Sequence, residues 1–196
     1  MGTFDAFGTN AVADEVLVDM WHGGHMVASR VRLTGVDEGI ACTVTTVLRG
    51  ADDGTRVVDA LAQFFPEVTA PDDLAPPSFG VNQDRTLEWT ELSMNAFLDA
   101  LHQQRILDTA LDAMSRFLHD ETTHFHIGRQ AASAGKVAFP IPDEQPVGGT
   151  FDVRLTGRGL GDWLEAATWH PGRSQVPRAI GDERSMTQDG EASTWH

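Results

Sequence analysis

The hydrophobic residues of the chain change their spacing several times between positions 40 and 170, and each spacing predicts a helix or a strand. Residues 40–48, IACTVTTVL, are rich in β-branched side chains, which favours a strand. The acidic turn 52–55 follows and offers a candidate helix cap. Apolar residues then recur at helical spacing over 57–65, and Pro66 ends this predicted helix.

Residues 85–92 alternate between polar and apolar side chains, which is typical of a half-buried strand. A short helix capped by Ser93 or Asn95 is predicted next, followed by a second helical stretch over about 105–119. The apolar residues that share one face of this second stretch are Ile106, Ala110, Ala113 and Phe117. This stretch therefore has an apolar side suited to packing on a sheet.

Three more strands are predicted at 122–127, 136–139 and 150–155, and a last short helix at 160–169. The order from residue 40 onward is thus β-α-β-α-α-β-β-β-α. Strands that follow one another directly near the end favour antiparallel pairing. The predicted fold class is α+β, with a single mixed or antiparallel sheet whose helices pack on one face.

The same pattern divides the chain into three parts. Residues 1–39 have only weak periodicity and are predicted to be an N-terminal extension, and residues 40–170 form the predicted α+β domain. Residues 171–196 are polar and aperiodic, which predicts a disordered tail. No stretch approaches the roughly 20 apolar residues that span a bilayer, and no signal-peptide pattern is found, so we expect a cytoplasmic protein that contacts no membrane.

The charge of the chain is strongly unbalanced, with 29 acidic against 14 basic residues and a net charge of −15. Lys136 is the single lysine, and the other bases are arginines, whose delocalised charge is less strongly hydrated than an ammonium group. This combination is typical of the cytoplasm of halophilic archaea, although a GC-rich genome also favours arginine over lysine. The single cysteine, Cys42, excludes an internal disulfide and a thiolate-rich zinc site within one chain.

Three segments occur together in an order that is specific. They are VVDALAQFFP at 57–66, QRILDTA at 104–110 and RQAASAGKVAF at 129–139, and the middle heptad is the most unusual. Over about residues 40–157 the chain resembles the uncharacterised archaeal protein family "two-oh-one". That resemblance implies a fold like ribosomal protein L-five and an RNA-binding-like role.

The chain departs from the family pattern at some positions. The family usually has a lysine where Arg129 stands and a basic residue where Leu111 stands, and the first turn lacks the usual Pro-Thr-Glu. The loss of the basic residue at 111 weakens any phosphate contact that the resemblance implies there.

Residues 105–136 carry four bases and four acids, whereas residues 1–104 carry five bases and sixteen acids. A neutral segment on an acidic protein repels a polyanion least. The predicted RNA-binding residues are Arg105, Arg129, Gln130 and Lys136. For Arg105 the alternative is an ion pair with Asp108 one helical turn away. RNA or a ribonucleoprotein is the predicted partner, and a homo-oligomer or a purely structural protein-binding subunit stays open.

His124 and His126 give an alternative from another class. They lie two residues apart on a predicted strand, so both face the same side, and neutral imidazole is a common metal ligand. A metal-dependent hydrolase is therefore the rival hypothesis, although the spacing matches no standard metal motif and an exposed strand face is favoured. Ser133 lacks the first glycine of a nucleophile elbow, because Ala131 stands in its place, and no phosphate-binding loop is found, so we predict no catalytic residues and no cofactor.

Overall fold

The computed structural model of the protein describes residues 33–78, 80, 83–141 and 146–181. Most of the predicted N-terminal extension and the last part of the predicted tail lie outside the described residues. The final residues of that extension belong to the domain. The Met94 N–H donates to the Thr34 carbonyl and the Ile40 N–H donates to the Gly35 carbonyl, both at 2.7 Å.

Four strands and five α-helices make up the described part of the chain. The strands are β1 Ala41–Gly50, β2 Gln83–Trp89, β3 Thr122–Gly128 and β4 Thr150–Thr156. The helices are α1 Gly54–Ala62, α2 Asn95–Gln104, α3 Leu107–Ser115, α4 Arg129–Ser133 and α5 Leu160–Ala167. Within these described residues, no helix combines the length and apolar character needed to cross a membrane.

The four strands form one sheet in the order β2-β1-β4-β3, and every neighbouring pair is antiparallel. Val153 of the central strand β4 is level with Val44 of β1 on one side and with Phe125 of β3 on the other. The predicted α+β class with a single sheet is thus confirmed, and antiparallel is the correct one of its two alternatives.

The two faces of the sheet differ because strand side chains alternate in direction. On one face Cys42, Val44 and Leu48 of β1 are fully buried with the apolar sides of the helices. On the other face His124 and His126 of β3 are exposed. One face therefore holds the core and the other remains open.

Phe97 of α2 lies at the centre of the core. Its ring stacks on Phe65 with centroids 5.8 Å apart and meets Phe64 edge-on at 6.3 Å. On its other side the ring of Phe125 lies 5.9 Å away. Aromatic pairs in these geometries contribute beyond their buried area, so one ring joins the segment after α1 to α2 and β3.

The structure corrects the predicted strand at 136–139. These residues have no strand structure, and the short helix α4 precedes them. After α4 the chain reverses at Gly135, whose φ of +67° is costly for any residue with a side chain. The Lys136 N–H then donates to the Ala131 carbonyl. The apolar run of 137–139 was thus too short to distinguish a strand from a packed loop.

The long helix predicted over 105–119 is also wrong, because Arg105 ends α2 and α3 begins only at Leu107. The buried side of α3 includes Leu107, Leu111 and Met114, whereas Phe117 remains 47% exposed. The buried face shares Ala110 with the predicted face but is rotated from it by about one residue, which corresponds to about 100° around the helix.

The beginning of the predicted tail is ordered. Residues Pro171–Ser174 form a 3-10 helix, and Arg173 is buried with its Nε donating to Asp108. Arg178 pairs with Asp112, and Ile180 packs against the core. Polar composition predicted disorder here, but ion pairs to α3 hold the segment in place. The predicted tail beyond 181 lies outside the described residues.

Cys42 is expected to resist thiol reagents in the native protein. Burial, and secondarily the negative charge of Glu67, raises the pKa of its thiol to about 12, so little reactive thiolate is present at mildly alkaline pH. We expect alkylation by iodoacetamide, followed by mass spectrometry, to be about a thousandfold slower in native protein than in urea, since only the unfolded fraction reacts.

The unfolded thiol ionises near pH 9.0, so stability should fall as the pH rises above that value. Rapid labelling of native protein would contradict this account.

Candidate functional site

The heptad 104–110 forms the corner between α2 and α3. Gln104 is the last residue of α2, and Arg105 adopts a left-handed conformation, with φ 57° and ψ 39°, that turns the chain. The Arg105 N–H donates back to the His102 carbonyl at 3.1 Å. A left-handed conformation costs about 1–2 kcal/mol for a residue with a β-carbon. The sequence thus keeps an arginine where glycine or asparagine is less strained.

The side chain of Gln104 joins this corner to the loop after α4. Its Oε1 accepts a hydrogen bond from the Val137 N–H at 3.1 Å. Arg105 and Lys136, the sequence neighbours of the two bonded residues, are both exposed. Neither has a carboxylate within ion-pair distance in the part of the chain that the structure describes. The fold therefore brings together two cation-bearing segments that are 31 positions apart in the sequence.

Arg129, predicted to contact RNA, lies inside the protein and is only 6% exposed. Its Nη2 pairs with Asp52 Oδ2 at 2.7 Å, and its Nη1 donates to the Val47 carbonyl at 3.2 Å. Its Nε donates to the Gly148 carbonyl. The guanidinium is thus occupied by partners in three segments, which corrects its assignment as a surface residue.

Arg129 instead positions the surface around it. It fixes the start of α4 against the turn after β1 and the turn before β4. In the second of these turns, the Gly149 carbonyl accepts a hydrogen bond from the Arg129 N–H. Gly149 has a φ of +79°, and a β-carbon there would lie 2.8 Å from Arg129 Nη2. Gln130, the next residue, is exposed as predicted for a contact residue.

A groove of about 520 Å³ opens beside the α2–α3 corner. Its polar lining includes His102, Arg105, Thr109 and His170, while Ile106 and Leu107 supply apolar surface. The remaining lining residue is Asp108. The groove therefore combines hydrogen-bond donors with an apolar wall, as small-ligand sites commonly do.

Asp108 does not pair with Arg105 in the groove. Its Oδ1 accepts from Arg173 Nε and its Oδ2 bonds to His170 Nε2, each at 3.0 Å. Partial burial by itself raises the pKa of the Asp108 carboxyl, but the bonds from Arg173 and His170 outweigh it and hold the pKa below 3.8. The Asp108 carboxylate thus stays ionised, and its two oxygens are occupied by Arg173 and His170. Arg105 has no carboxylate partner among the described residues.

The histidine pair on the open sheet face lacks the surroundings of a metal site. The His124 ring stacks on exposed Phe117 with centroids 4.5 Å apart, and His126 Nδ1 bonds to Asp152 at 2.7 Å. Within the described ranges, no group of three histidine, cysteine or acidic side chains is arranged to hold an ion. The hydrolase hypothesis therefore finds no third ligand there.

The chain has a clear relative among known proteins, although no protein-family model matches it. It is 28% identical over 128 residues to a UPF0201 protein of the archaeon Metallosphaera sedula, which spans 64% of this chain and 87% of the relative. The chain is thus similar in sequence to a UPF0201 protein. The predicted resemblance to an uncharacterised archaeal family is thereby confirmed.

Solved UPF0201 structures share the fold. The UPF0201 protein of Methanococcus jannaschii superposes with a TM-score of 0.51 at 20% identity, over 67% of this chain and 96% of that chain. A second UPF0201 protein, described as uncharacterized, gives a TM-score of 0.51 at 16% identity, over 64% and 90% of the two chains. At these identities the likeness concerns the fold alone.

Sequence reasoning on this chain did not predict the groove. His102 and His170 carried no recognisable motif, and the contacts of Asp108 come from residues 62 and 65 positions away. The one available signal was the unusual heptad, which supplies most of the lining.

Proposed function

We propose that this protein contacts RNA without catalysing a reaction, in the cytoplasm of a salt-rich cell, through Arg105 and Lys136. The observation that carries the proposal is the hydrogen bond between Gln104 Oε1 and the Val137 N–H. It holds the two exposed cations on neighbouring segments at a fixed corner. Gln130 lies exposed beyond the same loop and adds an amide that can donate and accept hydrogen bonds.

The distribution of ion pairs supports this choice of residues. Five described arginines pair with carboxylates, namely Arg56, Arg85, Arg129, Arg173 and Arg178. Arg105 and Lys136 form no such pair among the described residues, and among the cations of which this is true they are the two that the Gln104–Val137 hydrogen bond links. The left-handed conformation of Arg105 favours the same conclusion, because strain of this kind commonly persists where the side chain has a function.

The net charge of −15 repels a polyanion at low salt, but the distance over which this repulsion acts depends on the ionic strength. At about 1 M ionic strength the Debye length is only about 3 Å, so long-range repulsion is screened. The same screening removes most of the gain from counterion release. Binding then depends on short hydrogen bonds from guanidinium, ammonium and amide groups, and a few exposed cations can provide them.

Replacing both cations, Arg105→Ala/Lys136→Ala, is expected to weaken RNA binding about tenfold or more, since hydrogen bonds to charged groups contribute about 1.5–3 kcal/mol each. Fluorescence anisotropy with labelled total cellular RNA in molar KCl measures the affinity. Arg154→Ala/Arg158→Ala is the matched control, because it also removes two exposed positive charges, from β4 and the loop after it. The control should bind as the wild type does.

Two results would contradict the proposal. Equal affinity of the wild type and the Arg105→Ala/Lys136→Ala variant would remove the assigned site. A larger loss in the Arg154→Ala/Arg158→Ala control would move the contact to the open face of the sheet. Co-purification of a protein partner that survives nuclease treatment, without RNA binding, would favour a structural subunit instead.

A further inference from the structure

The groove at the α2–α3 corner presents one cation, Arg105, that has no carboxylate partner among the described residues. Its single carboxylate, Asp108, has both oxygens occupied by Arg173 and His170. Arg105 contributes a guanidinium without a carboxylate partner in the described ranges, and His102 and His170 contribute imidazoles. The groove is therefore suited to an anion and unsuited to a cation.

The donors in the groove match a phosphate group in particular. A guanidinium presents two parallel N–H donors that fit two phosphate oxygens. The Thr109 hydroxyl and the His102 imidazole add donors for the remaining oxygens, while the His170 Nε2 is bonded to Asp108. A phosphate monoester carries a charge of about −1.5 to −2 at neutral pH, more than a phosphodiester within a nucleic-acid strand.

The size and the apolar wall of the groove indicate a ligand larger than phosphate alone. Its volume of about 520 Å³ lies within the range of roughly 300–1,000 Å³ that is usual for small-molecule sites. Ile106 and Leu107 offer apolar surface to a ribose or a base. A terminal nucleotide with its phosphate has both kinds of group.

We infer that this groove binds the phosphate monoester at the end of an RNA strand, together with its terminal nucleotide. The inference rests on the proposed RNA contact, because Arg105 belongs to both surfaces. It adds that the protein distinguishes phosphorylated from hydroxyl ends. A free nucleoside monophosphate offers the same chemistry from another source.

The test compares one short single-stranded RNA in three forms, with a 5′-phosphate, with a 3′-phosphate and with hydroxyl groups at both ends. Anisotropy in molar KCl should show about tenfold tighter binding of one phosphorylated form, as expected for a charge-assisted bidentate contact. This preference should be lost in His102→Ala/His170→Ala. It should persist in His119→Ala/His124→Ala, which removes two exposed imidazoles outside the groove.

The outcomes separate this inference from the proposed function. Equal binding of all three RNA forms by the wild type, while Arg105→Ala/Lys136→Ala still weakens binding, would overturn the inference alone. A different result would indicate a free nucleotide as the ligand. AMP would then bind more tightly than adenosine and lose this advantage in His102→Ala/His170→Ala, and RNA binding would be unchanged in Arg105→Ala/Lys136→Ala. This result would overturn both the inference and the proposed function. Preference for a phosphorylated end that vanishes only in the groove variant supports the inference.

Discussion

Replacement of Arg129 by alanine is expected to lower the free energy of unfolding by about 3–5 kcal/mol, which is typical when one partner of a buried ion pair is removed. Arg129 is 6% exposed and occupies Asp52 and the carbonyls of Val47 and Gly148. The variant leaves these acceptors without their donor in a site that water reaches poorly. Urea unfolding in molar KCl, followed by tryptophan fluorescence, measures the loss.

Two further variants make this result specific. Arg56→Ala removes an ion pair with Asp53 whose arginine side chain is 86% exposed, and it should cost less than about 1 kcal/mol. Arg129→Lys keeps the charge but has fewer and less rigidly placed donors, so its loss should fall between the two. Equal stability of Arg129→Ala and Arg56→Ala would show that the buried network contributes little.

Replacement of Phe97 by alanine is expected to destabilise the protein by about 3–5 kcal/mol, the usual cost of removing a buried ring. Phe97 is fully buried and contacts Phe64, Phe65 and Phe125, so its loss opens a cavity where three segments meet. The same urea titration measures the change. The effect is expected on the unfolding midpoint rather than on the slope.

Phe117→Ala is the matched control for Phe97, since it deletes the same ring from a site that is 47% exposed. Phe117 stacks on His124, so its loss should cost less than about 1.5 kcal/mol. If both variants lost the same stability, the aromatic cluster would not be the centre of the core. A large loss for Phe97 alone supports the packing described here.

The regular elements follow from local pattern wherever the pattern is long. The β-branched residues of 40–48 predicted β1, and the acidic turn predicted the cap of α1, where Asp53 Oδ1 accepts from the N–H groups of Thr55 and Arg56. Short segments did worse, because the three apolar residues at 137–139 fit a strand and a packed loop equally well. The separation of α2 from α3 was predicted, but the left-handed conformation of Arg105 that produces it has no local signal.

The candidate site was predicted only in part. Local composition identified Arg105, Gln130 and Lys136, which the structure leaves exposed, but it placed Arg129 with them. A charged residue in a neutral segment usually lies at the surface. Arg129 is the exception because Asp52 lies 77 positions away in the sequence and next to it in space.

The fold class, the family resemblance and the order of most elements could be predicted from the sequence, because the hydrophobic period and an unusual heptad are patterns of consecutive residues. Tertiary structure alone decided which cations face solvent and which are buried. It also decided that residues 170–173 meet Asp108 across a groove. Such contacts join residues that are far apart in the sequence, and the local hydrophobic pattern around each residue does not predict its distant partner.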